Sequence, residues 1–333
     1  MSEFVPGAAT APEKSPTATG ILPFPTPGMM VPVGVPVDAA GVPSGEACPP
    51  PLVWQEVLSA FRAESQPWEL DRGTRQLTGR TWGQGPPLYL LNGFAATAEL
   101  YALLVYLLRD SFKCVVFDTI TNPSSRRARP TIHDFAQDLM AVADHQQDSA
   151  MLVFAPTIGA ALAMQAAVDH PGRIVGLALE HGFAIRRLSW SERLLAEWCR
   201  GSKRTLSSLP WRQRIQELNH RRWFPPFDAT RFEFLMESTG QIPLADLAQR
   251  ALAMNSVDLR PQLSRVTCPV MLVRTEGQGQ IETAGHEVLE KGLPNARTEW
   301  LHSTGLHPYL THPHRLAKLL KTFFLGDPSN PQP

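Results

Sequence analysis

The residue best placed for covalent chemistry is Thr157. It lies in the run Met151-Leu152-Val153-Phe154-Ala155-Pro156-Thr157-Ile158-Gly159-Ala160, which reads as a buried strand turning sharply into a helix. An alcohol on such a turn, flanked by the small residues Ala155 and Gly159, has the pattern of a nucleophile elbow, small-x-nucleophile-x-small. Such an alcohol attacks a carbonyl only when a base accepts its proton and a third group orients that base. Elsewhere in the chain Glu180, which ends the apolar run Leu177-Ala178-Leu179, and Glu276 carry carboxylates, and His302 and His307 carry imidazoles. The elbow conformation, usually with positive φ, is costly for a β-branched side chain. Threonine nucleophiles typically use an N-terminal amine, which Thr157 lacks. A packed threonine at a turn is therefore the favoured reading of Thr157.

Other chemistries have no support. The sequence contains no GxxxxGKS, no GxGxxG after a strand and no HExxH. Cys48, Cys114, Cys199 and Cys268 are scattered without metal spacing, and His312 and His314 read as solvent-facing helix residues. No cofactor or metal is expected. The formal net charge is +0, which gives no electrostatic footprint for nucleic acid or an anionic membrane surface. Arg126-Arg127-Ala128-Arg129 and His220-Arg221-Arg222 read as solvated faces.

The elements that must position these residues follow from hydrophobic periodicity. Trp54, Val57, Leu58 and Phe61 share one helical face, and Arg75 to Trp82 alternates like an antiparallel strand. Apolar strand-like runs recur at Leu88–Leu91, Lys113–Phe117, Met151–Phe154, Ile174–Leu179, Val270–Arg274 and Thr298–Leu301. Helical patterns separate most of them, at Ala98–Arg109, Ile132–His145, Ile158–His170, Ala284–Leu293 and Pro313–Phe324. This alternation predicts an α/β fold with a mainly parallel sheet covered on both faces.

Residues 189–257 are too long for one crossover and read as an inserted helical cap. Trp190, Trp198, Trp211 and Trp223 lie there, and packing in the core of the cap is favoured for them over lining a cavity. Twelve of the 31 prolines fall between Pro6 and Pro51, so residues 1–50 read as a disordered, partly polyproline II arm. Five prolines interrupt the apolar stretch Ile21 to Val37, which excludes a membrane span there, and no secretory signal is recognisable. A cytoplasmic location is the expectation. The domain reading is an arm over 1–50, a core in two parts over 51–188 and 258–326, the cap over 189–257 and a tail over 327–333.

Several marks, in order along the chain, resemble the α/β-hydrolase superfamily. Leu90-Leu91-Asn92-Gly93-Phe94 resembles the strand-to-loop motif that supplies one oxyanion-hole N–H, and Val115-Val116-Phe117-Asp118 the strand entering the family's D-x-x-G-x-G loop. The elbow comes next, followed by His170-Pro171-Gly172-Arg173-Ile174-Val175-Gly176-Leu177. Asp258-Leu259-Arg260 with Val266-Thr267-Cys268-Pro269-Val270 is similar to the return from cap to core, and His312-Pro313 with the terminal helix closes the pattern. The resemblance covers about Arg75 to Phe324 and implies an α/β-hydrolase fold with an inserted helical cap.

The same resemblance implies where catalytic groups belong, and the sequence departs from it there. The acid position falls on Gln278, a neutral amide, and the base position on Leu306, with His307 one residue late. Asn92 replaces the usual histidine of the oxyanion loop, and no glycine follows Asp118 through Ser125. The oxyanion donors, Phe94 N–H and Ile158 N–H, are backbone groups that side-chain replacement leaves in place. The expectation is a catalytically degenerate member that binds a small apolar ligand or a protein partner. The alternative is an active, esterase- or lipase-like hydrolase with a rearranged site of Thr157, His307 and Glu180 or Glu276.

Overall fold

A computed structural model describes residues 52–122, 129–226, 228–276 and 280–326. The arm and tail foreseen at 1–50 and 327–333, with Cys48 and Gln278, lie outside the described residues. Eight strands form one sheet: β1 (Gln66–Asp71), β2 (Arg75–Trp82), β3 (Pro87–Leu90), β4 (Lys113–Thr121), β5 (Met151–Pro156), β6 (Ile174–Glu180), β7 (Val270–Thr275) and β8 (Ala296–Leu301). Their spatial order is β1-β2-β4-β3-β5-β6-β7-β8. The β1–β2 and β2–β4 pairs are antiparallel, and every other pair is parallel.

The helices are α1 (Trp54–Glu64), α2 (Ala102–Leu108), α3 (Ile132–His145), α4 (Ile158–Asp169), α5 (Trp190–Cys199), α6 (Arg212–His220), α7 (Thr230–Gly240), α8 (Leu244–Asn255), α9 (Gln280–Gly292), α10 (Pro308–Thr311) and α11 (Pro313–Leu325). The period-2 geometry of the strands sorts their side chains into two cores. Tyr89, Val115, Val153, Ala155, Leu177 and Leu272 pack with Phe135 and Leu139 of α3 and Ala160 and Met164 of α4. Leu88, Leu90, Val116, Phe154, Ala178 and Met271 face the other way, onto Phe61 of α1, Leu104 of α2 and Leu316 of α11. Both faces of the sheet are therefore covered, as its continuous apolar strands require.

Capping sets two helix starts that matter for the site. Thr131 and Asp134 form a reciprocal capping box at α3, and Ser189 and Glu192 form one at α5, each satisfying otherwise unpaired first-turn amides. Between β6 and β7 the chain builds α5 to α8. A small cluster of Ala196 and Cys199 with Ile242, Leu244, Leu247 and Ala248 joins α5 to α8.

Three local expectations change. Residues 66–71 form an edge strand that hydrophobic alternation did not announce, because only Trp68 and Leu70 pack inward while Pro67, Glu69 and Asp71 occupy the exposed side, where an edge strand tolerates them. The helix expected from Ala98 starts as a 3-10 turn, Ala98–Tyr101, before α2. Trp190, Trp198 and Trp211 do not pack in a core but are exposed; Trp211 borders an open cleft between α6 and α7, and none of the three lines the cavity beside Thr157. Among the described residues no helix is long and apolar enough to cross a membrane.

Candidate functional site

The elbow forms where the central, wholly buried β5 ends. Pro156 pairs with Glu180 across β5 and β6, and the Thr157 N–H donates to the Glu180 carbonyl at 2.8 Å. The chain then reverses through Thr157, at φ 50° and ψ −112°, into α4. Positive φ on a β-branched residue is strained, and it persists because the strand ends and α4 hold it on both sides. The small flank at Gly159 has a direct cause: a Cβ there would lie 2.9 Å from the Asn92 carbonyl oxygen.

The Thr157 hydroxyl points at the loop after β3. Its Oγ1 accepts the Phe94 N–H at 3.0 Å, so the donor expected to receive a substrate oxyanion is occupied by the elbow's own side chain. Three groups hold that loop. Asn92 Nδ2 donates to Asp118 Oδ1 at 2.7 Å and to the Phe117 carbonyl at 3.0 Å. Asp118 Oδ1 also accepts the Ala98 N–H at 3.0 Å, and burial pushes its pKa up to about 6 against the pull of these hydrogen bonds and of Arg250. Arg250, on α8, donates to the Phe94 carbonyl at 2.9 Å. Burial lowers the Arg250 pKa, with Asp246 and Asp118 opposing.

Glu180 is fully buried at the end of β6, and burial raises its carboxyl pKa. Next to it stands His181, buried and at φ 50°, with Nδ1 3.2 Å from Glu180 Oε1 and Nε2 2.8 Å from the Thr275 hydroxyl. The Nδ1 approach is not aligned for a hydrogen bond, and both Glu180 oxygens lack hydrogen-bond partners among the described residues. His181 lines the same cavity as Thr157 and Phe94. Sequence reasoning did not single it out; its signal is a histidine directly after the strand that pairs with the elbow strand.

The other candidates sit elsewhere. His307 precedes α10 with Nδ1 2.7 Å from the Tyr309 hydroxyl, its ring edge-on to His220 at 5.0 Å between centroids. Burial pushes its pKa down to about 3, with His220 and His181 adding to the effect. No hydrogen bond joins His307 to Thr157 among the described residues, and His307 does not line the cavity. Glu276 pairs with His302 at 3.4 Å in a half-exposed position, where His302 stacks on Trp300. Leu306 has no titratable group to offer. The structure thus brings together Thr157, Phe94, Ile158 and the Glu180–His181 step, and leaves His307, His302 and Glu276 apart from the cavity.

That cavity has a volume of about 460 Å³, within the range of small-molecule pockets. Phe94, Thr157 and His181 form one wall; Leu195 of α5 and Leu247 and Met254 of α8 form the other. Arg186 and Glu192, 3.9 Å apart, are polar members of its lining. Among the described residues no group of three His, Cys, Asp or Glu is arranged to hold a metal ion.

No protein-family profile matches the sequence. The fold is similar to that of a hydrolase from Pseudomonas aeruginosa (TM-score 0.64, 18% identity, covering 79% of this chain and 99% of that one). It is also similar to a thermophilic esterase from Thermogutta terrifontis (TM-score 0.65, 18% identity, 78% and 98%). A third similar structure is the enol-lactonase from Burkholderia xenovorans (TM-score 0.63, 15% identity, 78% and 100%). The strand order, the parallel sheet clad on both faces, the elbow after β5 and these likenesses together show that the chain has the α/β-hydrolase fold.

Proposed function

We propose that this chain binds a small, mainly apolar molecule in the cavity beside Thr157 and does not hydrolyse it by a Ser–His–Asp type of mechanism. The observation that carries the reading is the Phe94 N–H to Thr157 Oγ1 hydrogen bond. A hydroxyl poised for attack is bonded to its base and leaves the oxyanion donors vacant for the substrate. Here the hydroxyl fills the donor's place, and no histidine is bonded to it among the described residues. The segment over α5 to α8 acts as the cap, contributing the apolar wall formed by Leu195, Leu247 and Met254.

Binding of a hydrophobic fluorescent probe, 1-anilinonaphthalene-8-sulfonate, tests the reading. The full chain is expected to bind it saturably at one site, and Ala251→Phe, which fills the lining, to weaken that binding severalfold, while a panel of p-nitrophenyl esters shows no turnover above background. Ester turnover abolished by Thr157→Ala would overturn it. One observation favours a second reading: His181 shares the cavity with Thr157. If ester turnover exists and is lost in His181→Ala, a rearranged Thr157–His181–Glu180 site replaces the one expected around His307.

A further inference from the structure

The formal charge of zero averages over an uneven chain. Residues 189–223 carry eight Lys and Arg (Arg193, Arg200, Lys203, Arg204, Arg212, Arg214, Arg221, Arg222) against three Glu (Glu192, Glu197, Glu217), a net +5 from 8 − 3. The carboxylates are engaged internally. Glu192 closes the α5 capping box, Glu197 pairs with Arg129 at 2.9 Å and Arg200 at 3.0 Å, and Glu217 accepts from Gln213 at 2.9 Å. Arg193, Lys203, Arg204, Arg214, Arg221 and Arg222 are exposed and form no ion pair among the described residues.

The same segment exposes large apolar side chains at helical spacing. On α5, Trp190 (79% exposed), Leu194, Leu195 and Trp198 (76%) fall on one arc; Trp211 (72%), Ile215 and Leu218 (73%) follow the i, i+4, i+7 pattern along α6. Apolar patches of this kind on a soluble surface mark contact sites. Indoles and leucines interleaved with guanidinium and ammonium groups that no carboxylate neutralises are the composition that settles at a bilayer interface. There the rings enter the headgroup boundary and the cations meet anionic lipid. We propose that α5 and α6 dock this chain on an anionic lipid surface. Leu195 belongs both to the exposed arc and to the cavity lining, so docking brings the bilayer to the cavity mouth, whether or not the site hydrolyses anything.

The test is co-sedimentation of the full chain with vesicles of phosphatidylglycerol and phosphatidylcholine against vesicles of phosphatidylcholine alone, with tryptophan emission as a second readout. Partition onto anionic vesicles, a blue-shifted emission and weakening by added salt are expected. Two variants should each bind roughly tenfold more weakly: the apolar Trp190→Ser/Trp198→Ser pair and the charge set Lys203→Gln/Arg204→Gln/Arg214→Gln. All these side chains are solvent-facing, and an unchanged circular dichroism melt verifies that the variants fold. Failure of the full chain to sediment with either vesicle overturns the proposal, as does sedimentation of both variants to the same extent as the parent chain. Concentration-dependent self-association in sedimentation velocity, lost in the tryptophan pair and without vesicle binding, overturns it in favour of a second copy as the occupant.

Discussion

Thr157→Ser is the most direct probe of the site, because it restores the residue type usual for an elbow without moving the backbone. Its Oγ inherits the 3.0 Å bond to the Phe94 N–H. To attack a carbonyl, the hydroxyl must leave that donor and give the oxyanion its place. Losing one such bond costs about 0.5–1.5 kcal/mol, roughly 2- to 12-fold in rate. Absence of a positioned general base costs roughly 10²–10⁴-fold more. Set against a typical kcat of about 10 s⁻¹, the variant is expected to turn over at roughly 10⁻² to 10⁻⁴ s⁻¹. The assay is p-nitrophenyl butyrate hydrolysis with the parent chain and Thr157→Ala as controls, alongside intact-mass detection of an acyl-enzyme. Turnover on the order of 1 s⁻¹ or above would refute the reasoning. Combination with His181→Ala or His307→Ala would then show which imidazole serves as the base.

Two further predictions concern the scaffold. Gly159→Ala places a methyl 2.9 Å from the Asn92 carbonyl, within the backbone that carries Phe94, and should destabilise the fold by about 1–3 kcal/mol; an unchanged thermal melt would contradict that close approach. For His307, the folded pKa of about 3 lies below the ordinary 6.5, so the unfolded chain binds more protons between those values. Its contribution to stability is complete above pH 6.5 and is lost as pH falls toward 3. Asp118 runs in the opposite sense. With its folded pKa raised to about 6, its contribution is present below pH 3.8 and lost as pH rises through 6. The parent-minus-variant difference for His307→Gln isolates the histidine: between pH 6.5 and 5 it should shift by about 1.5 kcal/mol in denaturant titrations, and a pH-independent difference would disprove the burial effect.

The sheet was readable in the sequence because burial on both faces leaves unbroken apolar runs, and the elbow because its small flanks report a close approach of backbones. What escaped notice depends on contacts between distant segments. The Arg250 guanidinium reaches the Phe94 carbonyl from α8, 156 positions away, and no local pattern encodes that reach. His181 looks like any polar residue at a strand end until β5 and β6 are paired in register. His307 illustrates the converse. The sequence places a histidine near the expected base position, yet packing beside His220 and Tyr309 decides where its ring points. The tryptophans of α5 and α6 were misjudged because hydrophobicity alone does not say which elements will cover a helix face.

The hydrogen bond that fills the Phe94 donor also bears on how this chain is found among its structural relatives. Serine-directed phosphonate reagents react by forming a bond to the elbow oxygen while a phosphoryl oxygen occupies the neighbouring N–H. On the proposed reading the chain offers no activated oxygen, and its Phe94 donor is already taken, so it would stay unlabelled in activity-based profiling while possessing the fold such reagents are meant to report. On the same reading its handle is instead the cavity, which a reversible apolar ligand would occupy without covalent chemistry.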